Sequence, residues 1–330
     1  MEYSFIIPVY NRPNEIEELL ESFVAQNTKL NYEVVIIEDG STITSKEIIE
    51  KFQEQLQISY YFKQNSGPGD SRNYGMQRAQ AKYFIILDSD VVLPPNYLSN
   101  ADSYLKQNFL HCFGGPDAAA KQFSPVQKAI NFAMTSFITT GGIRGKKNAV
   151  KKFEPRSFNM GLSKKAFLAS DGFGKIHPGE DPELVMRLRK QNFSVGFIPE
   201  AFVYHKRRID WPKFYQQVYK FGLVRPILTS WHPQTANISF WFPAVFTIGF
   251  FVALVSILFN WYLPFLLYLF YFILVMLLAS IQSKNFYIGL LSLRAVITMF
   301  AGYGFGFLKA TYRVRILNKN PEKTFPNLFF

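Results

Sequence analysis

Roughly the first 200 residues alternate between short apolar runs and longer amphipathic stretches. Four apolar runs predict strands, at residues 3–9, 32–38, 58–63 and 83–87. Helical spacing of apolar residues is found between them, after Pro13 and in residues 45–56 and 71–81. Strands that alternate with helices in this way predict an α/β domain built on a parallel sheet.

The stretch from Ser124 to Ile138 forms a separate helical pattern with one apolar stripe. We expect this stripe to pack against a core, with membrane contact as the alternative. The basic run between Arg144 and Lys152 has no apolar partners in sequence and predicts a loop. Such a loop is either solvated or attracts phosphates and anionic headgroups.

The character of the chain changes at Ile238. Residues 238–259 and 261–281 contain no charged side chain, and each is about as long as the roughly 20 residues that a membrane-spanning helix needs. They predict a membrane hairpin that turns at Asn260. The preceding residues, 209–236, mix aromatic and basic side chains and predict an interfacial amphipathic helix or linker.

A third apolar stretch, residues 286–308, contains Arg294 and several glycines. It could cross the membrane, re-enter it or lie flat on it. The tail after it is rich in Lys and Arg, which favours the cytoplasmic side. No export signal precedes the first half of the chain, so that half is also expected in the cytoplasm. An even number of crossings follows, and we therefore expect two full spans and a third segment that does not cross.

The composition agrees with a chain that combines a polar and an apolar part. Hydrophobic residues make up 48% of the sequence, yet the mean hydropathy is only +0.02. The net charge of +12 would suit nucleic acid, anionic lipid or a phosphorylated substrate, and the phenylalanine-rich stretches favour lipid over nucleic acid. Cys112 is the only cysteine, so no intrachain disulfide is possible and a reducing compartment is expected.

Acidic residues follow two of the predicted strands. Asp39 comes after one strand, and Asp88-Ser89-Asp90 follows another. Open α/β sheets bind ligands at the carboxyl ends of their strands, and carboxylate oxygens are suitable ligands for Mg²⁺ or Mn²⁺. The triplet alone is a weak signal, but its place after a strand predicts a site for a metal ion and a diphosphate.

Five motifs in a fixed order resemble those of the family 2 glycosyltransferases, which have the GT-A fold. They are Ile7-Pro8-Val9-Tyr10-Asn11-Arg12, Glu38-Asp39-Gly40-Ser41-Thr42, Asn65-Ser66-Gly67-Pro68-Gly69 with Ser71-Arg72-Asn73, Leu87-Asp88-Ser89-Asp90, and Gly179-Glu180-Asp181-Pro182-Glu183-Leu184. The resemblance implies a Rossmann-like, nucleotide-diphospho-sugar transferase domain over residues 1–208. The linker 209–236 and a helical membrane region, residues 237–330, would follow it.

The resemblance also implies which residues bind the donor. The nucleotide sugar would contact Pro8, Tyr10, Asn11, Asp39, Arg72, Asp88 and Ser89. Asp39 would accept a hydrogen bond from a uracil-type base. Asp88, Asp90 and His205 would hold Mg²⁺ or Mn²⁺, although a lone histidine is as often a structural hydrogen-bonding residue. Turn and capping chemistry is the alternative for the strand-end residues.

On the acceptor side, the resemblance implies that Asp181 is the catalytic base. A neighbouring carboxylate and partial burial would raise its pKa towards the working pH. An acid-rich helix start is the alternative reading of residues 180–183. Asn159, Gly161 and Glu180 would line the cleft for the sugar and the acceptor, although an Asn-x-Gly turn explains the first two equally well.

These features predict an inverting, metal-dependent transferase that moves a sugar from a UDP-linked donor to a hydroxyl of a lipid-linked acceptor. Processive synthases of the family carry Gln-x-x-Arg-Trp before their membrane helices, whereas this chain has Lys220-Phe221 at the last two positions. Single addition at the inner (plasma) membrane is therefore expected, with a cytoplasmic catalytic domain in a multi-pass protein. Short likenesses to succinoglycan-type exopolysaccharide transferases suggest polysaccharide or glycolipid synthesis. A polyprenyl-phosphate sugar synthase and a non-catalytic membrane scaffold are the alternatives.

Overall fold

The protein consists of two units in a computed structural model that describes residues 1–119, 124–141, 153–205 and 210–330. Unit 1 comprises Met1–Ala120, Phe153–Lys206 and Phe329–Phe330, and unit 2 comprises Lys121–Lys152 and Arg207–Leu328. The predicted basic loop after Arg144 and the basic group at 206–208 lie outside the described residues. The chain passes between the units after residues 120, 152, 206 and 328. The predicted domain bounds at residues 208 and 236 stay predictions.

Unit 1 contains all the strands that the structure describes. They are β1 Tyr3–Val9, β2 Tyr32–Asp39, β3 Ile58–Lys63, β4 Tyr83–Leu87, β5 Val91–Val92, β6 Cys112–Gly114, β7 Asp117–Ala119, β8 Asn159–Ser163, β9 Val195–Phe197 and β10 Val203–His205. A seven-stranded sheet has the order β3-β2-β1-β4-β8-β6-β9, and β5-β10-β7 form a small second sheet. Strands β1 to β4 pair in parallel as predicted, whereas β8 is antiparallel to both of its neighbours.

Helices cover this sheet and make up the second unit. They are α1 Pro13–Val24, α2 Lys46–Glu50, α3 Pro68–Arg78, α4 Tyr97–Gln107, α5 Pro125–Thr135, α6 Phe137–Thr140, α7 Lys164–Ser170, α8 Glu180–Lys190, α9 Trp211–Trp231, α10 Phe242–Ser256, α11 Leu263–Ser283, α12 Phe286–Ala310 and α13 Pro321–Thr324. A π-helical segment, Thr311–Ile316, continues α12. Short 3₁₀ turns at Ile238–Trp241 and Ile257–Phe259 flank α10.

Side chains of β1 alternate between the two faces of the main sheet. Phe5 and Ile7 pack with Leu19 and Phe23 of α1, whereas Ile6 belongs to the opposite cluster with Leu184 of α8. This two-residue period is the expected consequence of a sheet that is covered on both faces. The carboxyl ends of the strands therefore lie at an edge between two buried layers.

Three predicted helices differ in their bounds from those observed. The pattern over residues 45–56 forms a helix only at Lys46–Glu50. The pattern over 71–81 begins earlier, at Pro68, because proline is well suited to the first turn, where its missing N–H costs nothing. The predicted helix 124–138 is interrupted at Ser136, whose ψ of 143° is extended.

The helices of unit 2 share one hydrophobic cluster. Ile130 and Ala133 of α5 pack with Phe214 of α9, Val275 of α11 and Phe300 of α12. The apolar stripe of residues 124–138 is therefore buried, as expected, although its partners are the long apolar helices. Helix α9 buries residues 222–224 and 226–229 in succession, which differs from the single apolar face expected of an interfacial helix.

Close backbone contact with α12 explains the burial of α9. A Cβ on Gly306 would lie 2.2 Å from the carbonyl oxygen of Tyr219, and a Cβ on Gly222 would lie 2.2 Å from that of Tyr303. Small residues of this kind let helix backbones approach each other. The guanidinium of Arg294, the charge within the third apolar stretch, lies 4.5 Å from the ring centroid of Trp211 in a cation–π contact.

Three segments are long and apolar enough to cross a membrane. They are Ile238–Phe259, Leu263–Ser283 and Phe286–Ile316, with mean hydropathies of 2.4, 2.4 and 1.5. Large apolar side chains of the first two, such as Phe251 and Phe270, are more than half exposed within the protein. Exposed apolar surface of this extent is typical of contact with lipid. These features indicate membrane association, and the number of crossings stays a prediction.

Candidate active site

The carboxyl ends of β1, β2 and β4 meet at one edge of the main sheet. Parallel register aligns Val9 with Glu38, so that Asp39 at the end of β2 lies at the same edge as Tyr10 and Asp88, which follow β1 and β4. Tyr10 is 53% exposed, Pro8 is half-buried within β1, and Ser89 is buried. The backbone of His205 in β10 pairs with Val91 of β5, which places residue 205 beside the strand that follows Asp90.

The Asp39 carboxylate organises the loop that follows β3. It accepts hydrogen bonds from Nζ of Lys63 at 2.6 Å and from the amides of Ser66 and Gly67 at 3.0 Å each. The next residue, Gly40, has a φ of +74°, and a Cβ there would lie 2.7 Å from the Asn65 amide nitrogen. The motif therefore builds a rigid turn, and the contact of Asp39 with a base stays a prediction.

Asn11 holds the neighbouring loop in place. Its Oδ1 accepts hydrogen bonds from the amides of Thr42 at 2.9 Å and Ile43 at 3.0 Å. Its own amide donates to Oγ of Ser41, whose hydroxyl donates to the buried Glu38 carboxylate. Asn11 therefore fixes the shape of the predicted base pocket, which sequence alone did not indicate.

Arginine side chains pair with both carboxylates of the Asp88-Ser89-Asp90 triplet. Nη2 of Arg72 lies 2.9 Å from Asp88, and Nη1 of Arg12 lies 2.6 Å from Asp90. Asp88 keeps 34% of its side chain exposed. No cluster of three or more potential metal ligands occurs within the described ranges. Two carboxylates beside a diphosphate fit Mg²⁺ or Mn²⁺, since Mg²⁺ is usually held by one or two carboxylates plus phosphate and water.

A buried network joins the triplet to the start of α8. Arg72 donates from Nη1 to Glu180 at 2.9 Å, and Nδ1 of His177 lies 3.0 Å from the same carboxylate oxygen. The side chains of Arg72 and Glu180 are each 4% exposed. Burial disfavours the charged form of Glu180, but His177 and Arg72 outweigh it and lower the pKa of Glu180 to about 2. Glu180 is therefore a fixed negative charge.

The pKa of Asp181, the next residue, is shifted in the opposite direction. Its Oδ2 accepts a hydrogen bond from the Ser157 amide at 3.3 Å and lies 3.9 Å from Nη1 of Arg156. Burial raises the pKa of the Asp181 carboxyl, Arg156 lowers it, and the negative charge of Glu180 raises it again, with a net upward shift. Adjacent carboxyl groups whose pKa values are pushed apart are typical of acid–base sites.

Asn159 and Gly161, predicted to line the acceptor cleft, lie inside β8. The Asn159 amide accepts from the Tyr97 hydroxyl at 2.6 Å and donates to the Ala201 carbonyl at 2.8 Å. A Cβ on Gly161 would lie 2.0 Å from the ring of Phe113. Both residues thus have packing roles, and their contact with an acceptor stays a prediction.

Several residues near the site carried no signal in the sequence. Arg156 and His177 each pair with a predicted site residue, but none of the motifs includes them, and Arg12 ends the first motif without an assigned role. The amide of Phe330 donates to the Lys175 carbonyl, and its ring lies against Gly67 of the donor loop. Most of these contacts join segments that are distant in sequence and therefore arise only in the folded chain; His177, three residues before Glu180, is the exception.

Comparison with known proteins identifies the domain that carries this site. Residues 4–167 match the sequence model of glycosyl transferase family 2. Through this match the chain belongs to glycosyl transferase family 2. The family 2 domain covers β1 to β8 and therefore includes the Asp88-Ser89-Asp90 triplet, whereas α8 with Asp181 lies beyond it.

Two curated relatives are longer proteins that share one segment with this chain. An uncharacterized glycosyltransferase of Rickettsia bellii is 39% identical over 105 residues, which are 32% of this chain and 15% of that protein. The poly(ribitol-phosphate) beta-N-acetylglucosaminyltransferase TarS of Staphylococcus aureus is 32% identical over 111 residues, 33% of this chain and 19% of that protein. The matches thus cover about a third of this chain and less than a fifth of the length of each relative.

Solved structures share the fold. The mannosyltransferase PcManGT from Pyrobaculum calidifontis, in complex with GDP-Man and Mn²⁺, has a TM-score of 0.60 at 14% identity and covers 94% of this chain and 87% of its own. TarS residues 1–349 in complex with UDP-GlcNAc have a TM-score of 0.50 at 17% identity, covering 95% and 92%. Unit 1 accordingly has a GT-A type mixed-sheet fold, and three apolar helices follow it in the chain.

Proposed function

We propose that this protein is an inverting glycosyltransferase that adds one sugar from a nucleotide-sugar donor to a hydroxyl of a membrane-associated acceptor. The observation that carries the proposal is the continuous chain of contacts from Asp88 through Arg72 to Glu180, with Asp181 next to it. It joins a predicted diphosphate site to Glu180, the chain neighbour of Asp181, which is a half-buried carboxyl group whose pKa is raised. This combination is what a general base needs.

In the proposed mechanism Asp181 takes the proton of the acceptor hydroxyl. The acceptor oxygen attacks the anomeric carbon from the face opposite the leaving group, and the bond to the nucleoside diphosphate breaks. Arg72 keeps Glu180 ionised and in place, so that the negative charge of Glu180 keeps the neighbouring Asp181 basic. A metal ion bound by Asp88 and Asp90 would neutralise the charge of the departing diphosphate.

We propose that the donor is a nucleotide sugar. UDP-linked sugars are the first donors to test. TarS in complex with UDP-GlcNAc and PcManGT in complex with GDP-Man share the fold of this chain, which supports the nucleotide-sugar class. The two bases differ, so both donor types belong in the same test. The absence of Gln-x-x-Arg-Trp at Gln217 to Phe221 supports single addition over processive synthesis.

Metal dependence is tested by measuring the release of nucleoside diphosphate by the purified full chain in detergent. We expect transfer to fall about 100-fold or more with a chelator and to return with Mn²⁺ or Mg²⁺, since a bound metal contributes several kcal/mol to leaving-group stabilisation. Asp88→Asn and Asp90→Asn should show the same loss, and Asp171→Asn, at an exposed residue after α7, is the matched control. Full activity in the chelator would refute metal dependence.

A polyprenyl-phosphate sugar synthase is the enzymatic alternative, because its acceptor is a phosphate. A phosphate is ionised at neutral pH and needs no strong base, so the raised pKa of Asp181 favours a hydroxyl acceptor. Mass spectrometry of the lipid product separates the two, since a glycoside supports the proposed function and a glycosyl phosphodiester supports the synthase. A non-catalytic scaffold is less consistent with the intact acidic residues of every motif.

We further propose an inner (plasma) membrane location with the family 2 domain in the cytoplasm and two full spans. The third apolar stretch would then return without crossing, so that the basic tail lies on the same side as the domain. A tag after residue 330 should resist protease in sealed right-side-out vesicles. Its digestion there would mean that the third segment, Phe286–Ile316, also crosses the membrane.

A further inference from the structure

Arg156 is a cation of the acceptor side for which the proposed mechanism has no role. Its Nη1 lies 3.9 Å from Oδ2 of Asp181, and its Nη2 lies 3.9 Å from Oε2 of Glu154. Charge-assisted hydrogen bonds between arginine and carboxylate measure about 2.7–2.9 Å. Both contacts are therefore ion pairs without a direct hydrogen bond, and 32% of the Arg156 side chain remains exposed.

Arg72, in the same site, differs from Arg156 because its guanidinium forms direct hydrogen bonds with two carboxylates. It is 4% exposed and holds Asp88 and Glu180 at 2.9 Å each. A guanidinium carries five N–H donors in a planar fork that matches carboxylate or phosphate. Arg156 has the same fork beside the same pair of acids, but its donors face no carboxylate at hydrogen-bond distance among the described residues.

The remaining parts of the chain supply no further acid for Arg156. Residues 120–123, 142–152 and 206–209, which the structure does not describe, contain no Asp or Glu. They contain nine Lys and Arg residues instead, including Lys151 and Lys152 a few positions before Arg156. An anionic ligand at Arg156 would thus compete only with the two carboxylates that lie 3.9 Å away, those of Asp181 and Glu154, and with no acid from these three segments.

The position of Arg156 indicates where a bound anionic group would lie. The Ser157 amide, next to Arg156 in the chain, donates to the Asp181 carboxylate, so the fold holds Arg156 beside the base. A group bound by Arg156 would lie next to the hydroxyl whose proton Asp181 takes. We propose that Arg156 binds a phosphate of the acceptor, next to the hydroxyl that receives the sugar, and so selects phosphate-bearing acceptors. This inference rests on the proposed function and specifies its acceptor class.

The test compares acceptors with and without a phosphate at a saturating donor concentration, using the full chain in detergent. The acceptors are a neutral alkyl glycoside, a soluble sugar 1-phosphate and a polyprenyl-diphosphate-linked sugar. Arg156→Gln should reduce the preference in kcat/KM for phosphate-bearing over neutral acceptors by about 10- to 100-fold, the usual weight of one charged hydrogen-bonded contact. Arg156→Lys keeps the charge and should restore part of that preference.

Arg78→Gln is the matched control, because Arg78 is an exposed arginine of α3 that stacks on Tyr74. It should leave the acceptor preference unchanged. If the enzyme accepts the soluble sugar 1-phosphate, the phosphate alone suffices for recognition. If it accepts only the lipid-linked sugar, the phosphate is that of the lipid carrier. Both outcomes support the inference. An equal loss with charged and neutral acceptors would overturn it and leave Arg156 as a residue that positions Asp181. A rise confined to the KM of the donor would overturn it as well.

A binding measurement separates failure of this inference from failure of the proposed function. The sugar 1-phosphate should raise the Tm of the wild-type protein in the absence of donor, and Arg156→Gln should lose this shift. If no nucleotide sugar is turned over but the shift persists, the proposed function fails while the phosphate site stands. Wild-type transfer without any Arg156-dependent shift or preference would leave the function intact and refute the site.

Discussion

Replacing Asp181 with asparagine is expected to lower sugar transfer about 100- to 10,000-fold, the usual contribution of a general base. Asparagine keeps the size of the side chain, and its Oδ1 can still accept the hydrogen bond from the Ser157 amide. It cannot take a proton from the acceptor hydroxyl. Binding of the nucleotide sugar should survive, because the predicted donor residues remain, and calorimetry with UDP would measure it.

Asp171→Asn is the matched control for this substitution. Asp171 ends α7 at an exposed position with a φ of 55°, a conformation that asparagine adopts readily. We expect its activity to equal that of the wild type. Full turnover of the Asp181 variant would exclude this residue as the base, whereas loss of UDP binding together with turnover would point to misfolding at the start of α8.

The pH dependence of kcat/KM gives an independent readout of the same assignment. The base must be deprotonated, and the pKa of Asp181 is raised, so activity should fall with decreasing pH at a midpoint above about 3.9, the ordinary value for aspartate. Glu180→Gln removes a negative charge that raises this pKa and should move the midpoint to lower pH. Arg156→Gln removes a positive charge that lowers it and should move the midpoint to higher pH.

Arg72→Met is expected to destabilise the family 2 domain by about 3–5 kcal/mol, because the buried Glu180 carboxylate loses its arginine and keeps only His177 as a charged partner. The Glu180 side chain, at 4% exposure, would bear most of this cost. Since Asp88 would lose its positioning contact, donor affinity should fall with stability. Thermal unfolding of the full chain, followed with and without UDP, would measure both effects.

The double variant Arg72→Met/Glu180→Gln distinguishes an unpaired charge from lost packing. Removing the buried negative charge should recover a large part of the stability, because a neutral amide costs much less to bury. Lys51→Met is the surface control: its pair with Glu17 at 3.1 Å joins side chains that are 62% and 38% exposed. Such pairs contribute about 1 kcal/mol or less. If Arg72→Met were no more destabilising than Lys51→Met, the buried network would contribute no more to stability than a surface ion pair.

Much of the fold could be predicted from the sequence because local patterns determine it. Strands β1, β3 and β4 begin and end where the apolar runs do, since each run is bounded by polar residues. The hairpin turns at Asn260, which adopts a left-handed φ of 59°. The antiparallel strand β8 and the joining of residues 121–152 to the helical unit were not foreseen. Both depend on contacts between segments far apart in the chain.

By itself, the sequence determined the alternation of strands and helices, the apolar segments and the order of the acidic motifs. Each of these depends on residues close together in the chain. The tertiary structure alone decided that Arg72 joins Asp88 to Glu180, and that Arg156 stands beside Asp181 with its donors free of hydrogen bonds to carboxylates in the described parts of the chain. The physical reason is that charge pairing and burial arise from distant segments packed together, and they set the pKa of Asp181 as well as the space beside it.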